Sequence, residues 1–184
     1  MDIPKHYLKF AEALKLYNNN INIYSSNAYD KLGFHIQDSI NLANLVGNKR
    51  QNIVDFGSGS GLPSVMLAIE NTESNVFAIE SKKKKRDFIS RIKSDLSIHN
   101  LHVYEGDIDS FLKSFKYKKI HCVTAKAFAS LDKIELILKK SRVVVNEVFI
   151  PISKKQADST YSHLKEFLRY KEVEGIEFCY LHKR

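Results

Sequence analysis

Apolar residues in the first twenty positions recur at helical spacing. Tyr7, Leu8, Phe10, Ala11, Leu14 and Tyr17 form one stripe behind Pro4, a residue that suits a first helical turn. The spacing predicts an amphipathic helix over 4–19, broken by Asn18-Asn19-Asn20. Ser25-Ser26-Asn27 is a good N-cap run for a short helix around 28–32. Ile36, Ile40, Leu42, Ala43 and Leu45 then mark a helix over 35–45, ended by Gly47-Asn48. Beyond residue 51 short apolar runs alternate with amphipathic stretches. This predicts strands at 52–56, 75–80, 101–104, 120–125 and 143–150, with helices at 61–71, 82–97, 108–114 and 130–140 between them. A helix over 154–170 and two strands near 168–173 and 177–182, paired as a hairpin around Glu174-Gly175, complete the pattern. Such alternation implies an α/β fold, with a mostly parallel sheet, right-handed crossovers and helices on both faces.

No linker or repeat interrupts the 184 residues, so a single domain over 1–184 is expected, with 1–50 as a helical extension packed on a core formed by 51–184. Composition agrees with an ordered globule: 43% of residues are hydrophobic, with 7 glycines and 3 prolines. No apolar run is long enough to span a membrane, and Met1-Asp2-Ile3-Pro4 lacks the basic start of a signal peptide, so a cytoplasmic protein is expected. Cys122 and Cys179 have neither metal spacing nor a disulfide-rich context, and the 7 histidines form no ligand cluster, so no metal is expected.

The strand at 52–56 runs into Gly57-Ser58-Gly59-Ser60-Gly61, preceded by Asp55 and followed by Leu62-Pro63. Glycines at alternate positions permit positive φ and close backbone approach to a ligand. One βα unit later Glu80 closes the next strand, where a carboxylate can accept both hydroxyls of a ribose. A dinucleotide turn reads G-x-G-x-x-G, whereas this one reads G-x-G-x-G, a variant that resembles the first motif of S-adenosylmethionine-dependent methyltransferases. A glycine-rich turn without a ligand and a nicotinamide or flavin site are the alternatives.

Charge changes the picture further. The net charge is +8, and residues 81–155 alone hold 18 lysines and arginines against 8 acidic residues. The helix at 82–97 opens Lys82-Lys83-Lys84-Lys85-Arg86, and cations at a helix N-terminus oppose the macrodipole, so helix stability does not explain the run. A phosphate-facing role does, which points to nucleic acid. The alternative is a solvated face.

Several segments together resemble the bacterial small-subunit ribosomal RNA guanine-N7 methyltransferase family, also called glucose-inhibited division protein B. They are Tyr17-Asn18 with Ile21-Asn22-Ile23, the segment from His35 to Ser39, the stretch from Asp55 to Pro63, Glu80-Ser81, the basic start from Lys85 to Phe88, and the run from Ala125 to Leu131. The resemblance implies a Rossmann-like class I methyltransferase fold with seven strands, the last antiparallel. It also implies S-adenosylmethionine as cofactor, the decoding-region loop of 16S rRNA in the small subunit as substrate, and a monomer. It places the cofactor around Gly57, Ser58, Gly59, Gly61, Leu62, Glu80, Ile108, Asp109 and Lys126. RNA contacts are expected at His35, at Lys82, Lys83, Lys84, Lys85 and Arg86, and at Lys154 and Lys155.

Guanine N7 is an exposed acceptor that needs no general base, so alignment carries the reaction, and Asp38 and Lys126 are the candidates for a catalytic contribution. Departures from the family pattern accompany the matches. Lys126 stands in place of arginine, Asp107 in place of arginine, Ser64 in place of glycine, and Ile152-Ser153 in place of lysine-glycine. They keep open a non-catalytic or weakly active rRNA-binding protein, and a methyltransferase with a small-molecule substrate is a third reading.

Overall fold

A computed structural model describes residues 5–49, 51–117, 119–173 and 176–184. After a 3-10 turn at Lys5–Tyr7 come α1 (Leu8–Asn18), a 3-10 segment (Ser26–Lys31) and α2 (Leu32–Val46). The alternating part contains β1 (Asn52–Phe56), α3 (Ser64–Glu70), β2 (Asn75–Glu80), α4 (Lys83–Asp95) and β3 (Leu101–Glu105). It continues through α5 (Ile108–Ser114), β4 (Lys119–Thr124), α6 (Leu131–Lys140) and β5 (Val144–Ile152). Then follow α7 (Lys154–Asp158), a 3-10 turn at Ser162–Leu164, β6 (Leu168–Val173) and β7 (Ile176–Lys183).

The seven strands form one sheet in the order β3-β2-β1-β4-β5-β7-β6. β7 pairs antiparallel with both β5 and β6, and the remaining pairings are parallel. Alternate strand residues feed two cores, as period-two geometry requires. Ile53, Val76 and Cys122 join α1, α2, α3 and α4 on one face, while Val54, Ile79 and Val123 join α5 and α6 on the other. Cys122 and Cys179 are buried free thiols.

Residues 5–49 are fastened to that sheet. The rings of Phe10 and Tyr17 meet Phe88 of α4 at 6.2 and 5.2 Å, and the Tyr7 hydroxyl donates to Glu70 at the end of α3. Asn18 explains the asparagine-rich break after α1. Its Oδ1 accepts from the backbone N–H groups of Ile23 and Tyr24 at 2.8 and 2.9 Å, and its Nδ2 donates to the Tyr24 carbonyl at 2.8 Å. One side chain thereby satisfies three backbone groups of a loop without a ladder of its own.

Two helices differ from the sequence expectation. The helix expected over 61–71 begins at Ser64, because Gly61 has φ +86° and leaves residues 57–63 as a turn, closed by the Gly61 N–H donating to the Ser58 carbonyl at 2.8 Å. The helix expected over 154–170 stops at Asp158. There the hydroxyls of Ser159 and Ser162 bond the carbonyls of Lys155 and Ser159, offering the backbone a competitor to the helical ladder. The turn expected at Glu174-Gly175 lies outside the described residues.

Candidate active site

β2 and β4 flank β1 on opposite sides, so the chain reverses its direction of travel across the sheet between β1 and β4. Ligands of open α/β sheets bind at the carboxyl ends of strands flanking such a switch point. The glycine turn leaves β1 there, and Lys126 lies two residues beyond β4.

Gly57, Gly59 and Gly61 all take positive φ, at +72°, +58° and +86°. The N–H groups of Gly57 and Ser58 both donate to the Ile79 carbonyl, at 2.9 and 3.0 Å. Glu80 closes the turn from the next strand: its Oε2 accepts the Gly59 N–H at 3.0 Å and its Oε1 the Lys82 N–H at 2.8 Å. A carboxylate has about four lone-pair sites, so two N–H donors leave it able to take a diol as well. Leu62 turns into the core beside α3 and α4.

Beneath the turn Asp55 is fully buried, its Oδ1 accepting from the Thr124 hydroxyl at 2.9 Å. Its Oδ2 and the Ser64 hydroxyl have no hydrogen bond of normal geometry. Burial pushes the Asp55 carboxyl up to about 6, against the pull of the Ser58, Thr124 and Ser64 hydroxyls and of the Lys126 charge. These residues fit S-adenosylmethionine. A Cβ at Gly59 would meet nothing nearer than the Gly57 carbonyl oxygen at 3.7 Å, so the backbone is bare there, and Glu80 retains acceptor capacity beside it.

Lys126 is directed at α2. Its ammonium is 2.9 Å from Asp38 Oδ2, 3.1 Å from the His35 carbonyl and 3.4 Å from the Ser39 hydroxyl, a partner for each of its three protons. Both side chains of the Lys126–Asp38 pair are less than one fifth exposed. A rigid guanidinium fork is thus not required for this contact, because the three acceptors surround a point charge. His35 Nδ1 shares a 2.9 Å hydrogen bond with the Tyr24 hydroxyl. Burial, then the Lys126 charge, lowers the imidazole pKa, so the ring is neutral at pH 7. The Tyr24 hydroxyl is itself pushed up to about 12 by burial.

His35, Asp38 and Lys126 line a cleft of about 600 Å³ that continues along Phe34, Phe128 and Ile152 to Lys154 and Glu177. Lys154 Nζ is 3.0 Å from Glu177 Oε1, while its neighbour Lys155 is exposed at the surface. Phe128 also reaches the glycine turn: a Cβ added to Gly57 would stand 2.5 Å from its ring. Phe128 belongs to the run from Ala125 to Leu131 that the sequence marks, though not as a site residue, whereas Phe34, Tyr24 and Glu177 carry no motif and three-dimensional proximity alone brings them here.

Lys82, Lys83, Lys84 and Lys85 line a second cleft, of about 550 Å³, against Asn22, Ile23 and Ser25. Arg86 does not share that face. Its guanidinium bonds the Glu80 carbonyl at 3.2 Å and Glu105 at 2.9 Å, and its side chain is 12% exposed, so it ties β2 to β3 and stands apart from the expected RNA contacts. Ile108 opens α5 and packs on the second core, whereas Asp109 lines a third cleft with Lys113, Lys140 and Arg142. Among the described residues no group of three or more metal-ligating side chains occurs, and no helix is long and apolar enough to cross a membrane.

This sheet order, with a glycine turn after β1 and a carboxylate ending β2, is the fold of class I S-adenosylmethionine-dependent methyltransferases. A methyltransferase from Geobacter sulfurreducens shares it with a TM-score of 0.64, at 15% identity, over 95% of this chain and 88% of that one. The chain belongs to the family of rRNA small subunit methyltransferase G (GidB), which matches residues 4–183. Ribosomal RNA small subunit methyltransferase G of Brachyspira hyodysenteriae is 32% identical over 179 residues, covering 85% of this chain and 86% of that protein. The protein of the same name from Borrelia garinii subsp. bavariensis is 31% identical over 134 residues, covering 71% of this chain. That match spans 62% of the Borrelia protein, a little under two thirds of its length.

Proposed function

We propose that this protein transfers the methyl group of S-adenosylmethionine to N7 of a guanine in the decoding-region loop of 16S rRNA, acting in the cytoplasm on the small ribosomal subunit. The observation that carries the reading is the contact of Phe128 with both halves of the site. A cofactor held by Gly57, Ser58, Gly59 and Gly61 and by Glu80 is then adjacent to an acceptor in the cleft. The names of the family and its relatives, and the four lysines along the neighbouring groove, support an RNA acceptor.

Held by Gly57, Ser58, Gly59, Gly61 and Glu80, S-adenosylmethionine would supply a sulfonium-activated methyl group to the in-plane lone pair of N7, with S-adenosylhomocysteine as the product that leaves. The protein's own residues align the partners and exclude water. Methylation leaves the purine positively charged, and Asp38, fixed by Lys126, offers a carboxylate that stabilises such charge. Lys82 to Lys85 and Lys154 hold phosphates. Residues 1–50 belong to the same functional unit, since His35 and Asp38 of α2 contribute walls of the cleft.

Isothermal titration with S-adenosylmethionine tests the first half of the reading. Binding by the wild type, lost in Gly57→Asp, is the expected result. A folded wild-type protein that binds none would favour the second reading, a non-catalytic rRNA-binding protein, to which the engagement of Lys126 by α2 is equally suited.

A further inference from the structure

Two of the large apolar side chains left exposed on this protein face the same cleft: Phe34 of α2 is 45% exposed, and Phe128, in the loop after β4, is 37% exposed. Single exposed apolar residues need no explanation, but two flat rings brought from distant segments into one pocket do. The loop that presents Phe128 is held in an unfavourable shape. Ala127 lies at φ +54°, in the left-handed region that costs a residue with a Cβ about 1–2 kcal/mol. Strain of this kind persists where the surroundings over-determine it, as they do here: Lys126 is anchored on α2 by three acceptors and Phe128 lies against Gly57.

We infer that Phe34 and Phe128 form the stacking surface for an unpaired purine of the RNA, with Phe128 setting that base beside the glycine turn. The inference rests on the RNA-methylation reading and gives the base a place within it. The chemistry of the cleft suits a nucleobase. Its volume of about 600 Å³ falls within the roughly 300–1,000 Å³ of small-ligand sites. It combines apolar rings for the base face with Asp38, Glu177 and Lys154 around them for polar edges and phosphate. Unstacked bases of single-stranded RNA are gripped in this way, by aromatic faces that stack and polar groups that read the edge. Phe128 is thus a positioning residue, holding the acceptor without chemistry of its own.

The test uses a single-stranded RNA carrying one 2-aminopurine, whose fluorescence stacking quenches, with wild-type protein and the Phe34→Leu, Phe128→Leu and doubly substituted variants. Leucine keeps apolar bulk and removes the flat face. Wild-type protein is expected to quench the probe. Each leucine substitution is expected to reduce quenching and weaken RNA binding by about 5- to 150-fold, the fold-change equivalent to losing a base–aromatic stack. S-adenosylmethionine affinity should fall by less than RNA affinity, and Phe128→Tyr should restore quenching. In methyl transfer to small-subunit particles, the KM for particles should rise more than kcat falls.

No quenching by the wild type, or full quenching by the double variant, overturns the inference. So does a loss of cofactor affinity larger than the loss of RNA affinity, which would assign the rings to the cofactor. The two levels separate cleanly. Ring-dependent quenching by a protein that methylates no particle refutes the methylation reading and leaves the stacking surface standing. Transfer at the wild-type KM by the double variant does the reverse.

Discussion

At neutral pH the buried carboxyl of Asp55 carries a charge that burial disfavours; Thr124 bonds Oδ1 at 2.9 Å, and the Ser58 and Ser64 hydroxyls and the Lys126 charge offset that cost only in part. The folded pKa of about 6 stands above the ordinary 3.8, so the neutral form contributes stability that is complete below pH 3.8 and lost as pH rises through 6. Asp55→Asn keeps an acceptor for Thr124 and cannot ionise. Chemical denaturation should find the variant more stable than wild type by about 3 kcal/mol well above pH 6, with the difference closing below pH 3.8. A difference independent of pH would contradict the assignment. Gly57→Ala should behave oppositely: its methyl would stand 2.5 Å from the Phe128 ring at φ +72°, costing about 1–2 kcal/mol through the backbone alone, readable in the same experiment. Glycine and acidic residues declare themselves by type, so Gly57, Gly59, Gly61 and Glu80 could be singled out from the sequence. The ring of Phe128 over Gly57 could not, because an aromatic residue in a loop has no periodicity to say where it points.

The basic start of α4 shows what a charge run does and does not reveal. Five consecutive cations are visible in the sequence, yet Arg86 turns inward to the carbonyl of Glu80 and to Glu105, while Lys82 to Lys85 line a groove against the loop that Asn18 braces. Replacing those four lysines by glutamine should lower the dependence of log RNA affinity on log salt by about 0.7 for each phosphate no longer neutralised, measured by titration at several ionic strengths. Arg86→Gln should instead leave the salt slope intact and reduce stability by about 1 kcal/mol, through loss of its bond to the part-buried Glu80 carbonyl, its exposed partner Glu105 returning to water. An unchanged slope in the lysine variant would make that face a solvated one. β1, β2 and β4 were legible as strands because residues buried on both sides read as nearly continuous apolar runs. The end of α7 was not. Tyr161, Leu164 and Phe167 keep a helix-like spacing, but they pack on the second core through turns that the Ser159 and Ser162 hydroxyls favour.

Across the whole molecule the site exists because α2, which precedes the sheet in sequence, packs on α3 and reaches β5 and the loop after β4. The Lys126–Asp38 pair is the joint, linking the loop after β4 to α2, and neither residue's sequence neighbours foretold the other. The extension was therefore legible as helices, and its share in the cleft emerged only from packing. Asp38→Asn retains a hydrogen-bond acceptor for Lys126 while removing the carboxylate charge. The methylation rate at saturating RNA should fall about 10-fold, equivalent to about 1.4 kcal/mol, and an unchanged rate would reduce Asp38 to a structural role. The most direct measurement is transfer of labelled methyl groups from S-adenosylmethionine to unmethylated small-subunit particles, followed by digestion of the RNA and identification of the labelled nucleoside. Label recovered as 7-methylguanosine from the decoding-region loop of 16S rRNA, and abolished by Gly57→Asp, is the predicted result. Particles left unlabelled by a folded wild-type protein that binds the cofactor, or label confined to another nucleoside, would contradict it.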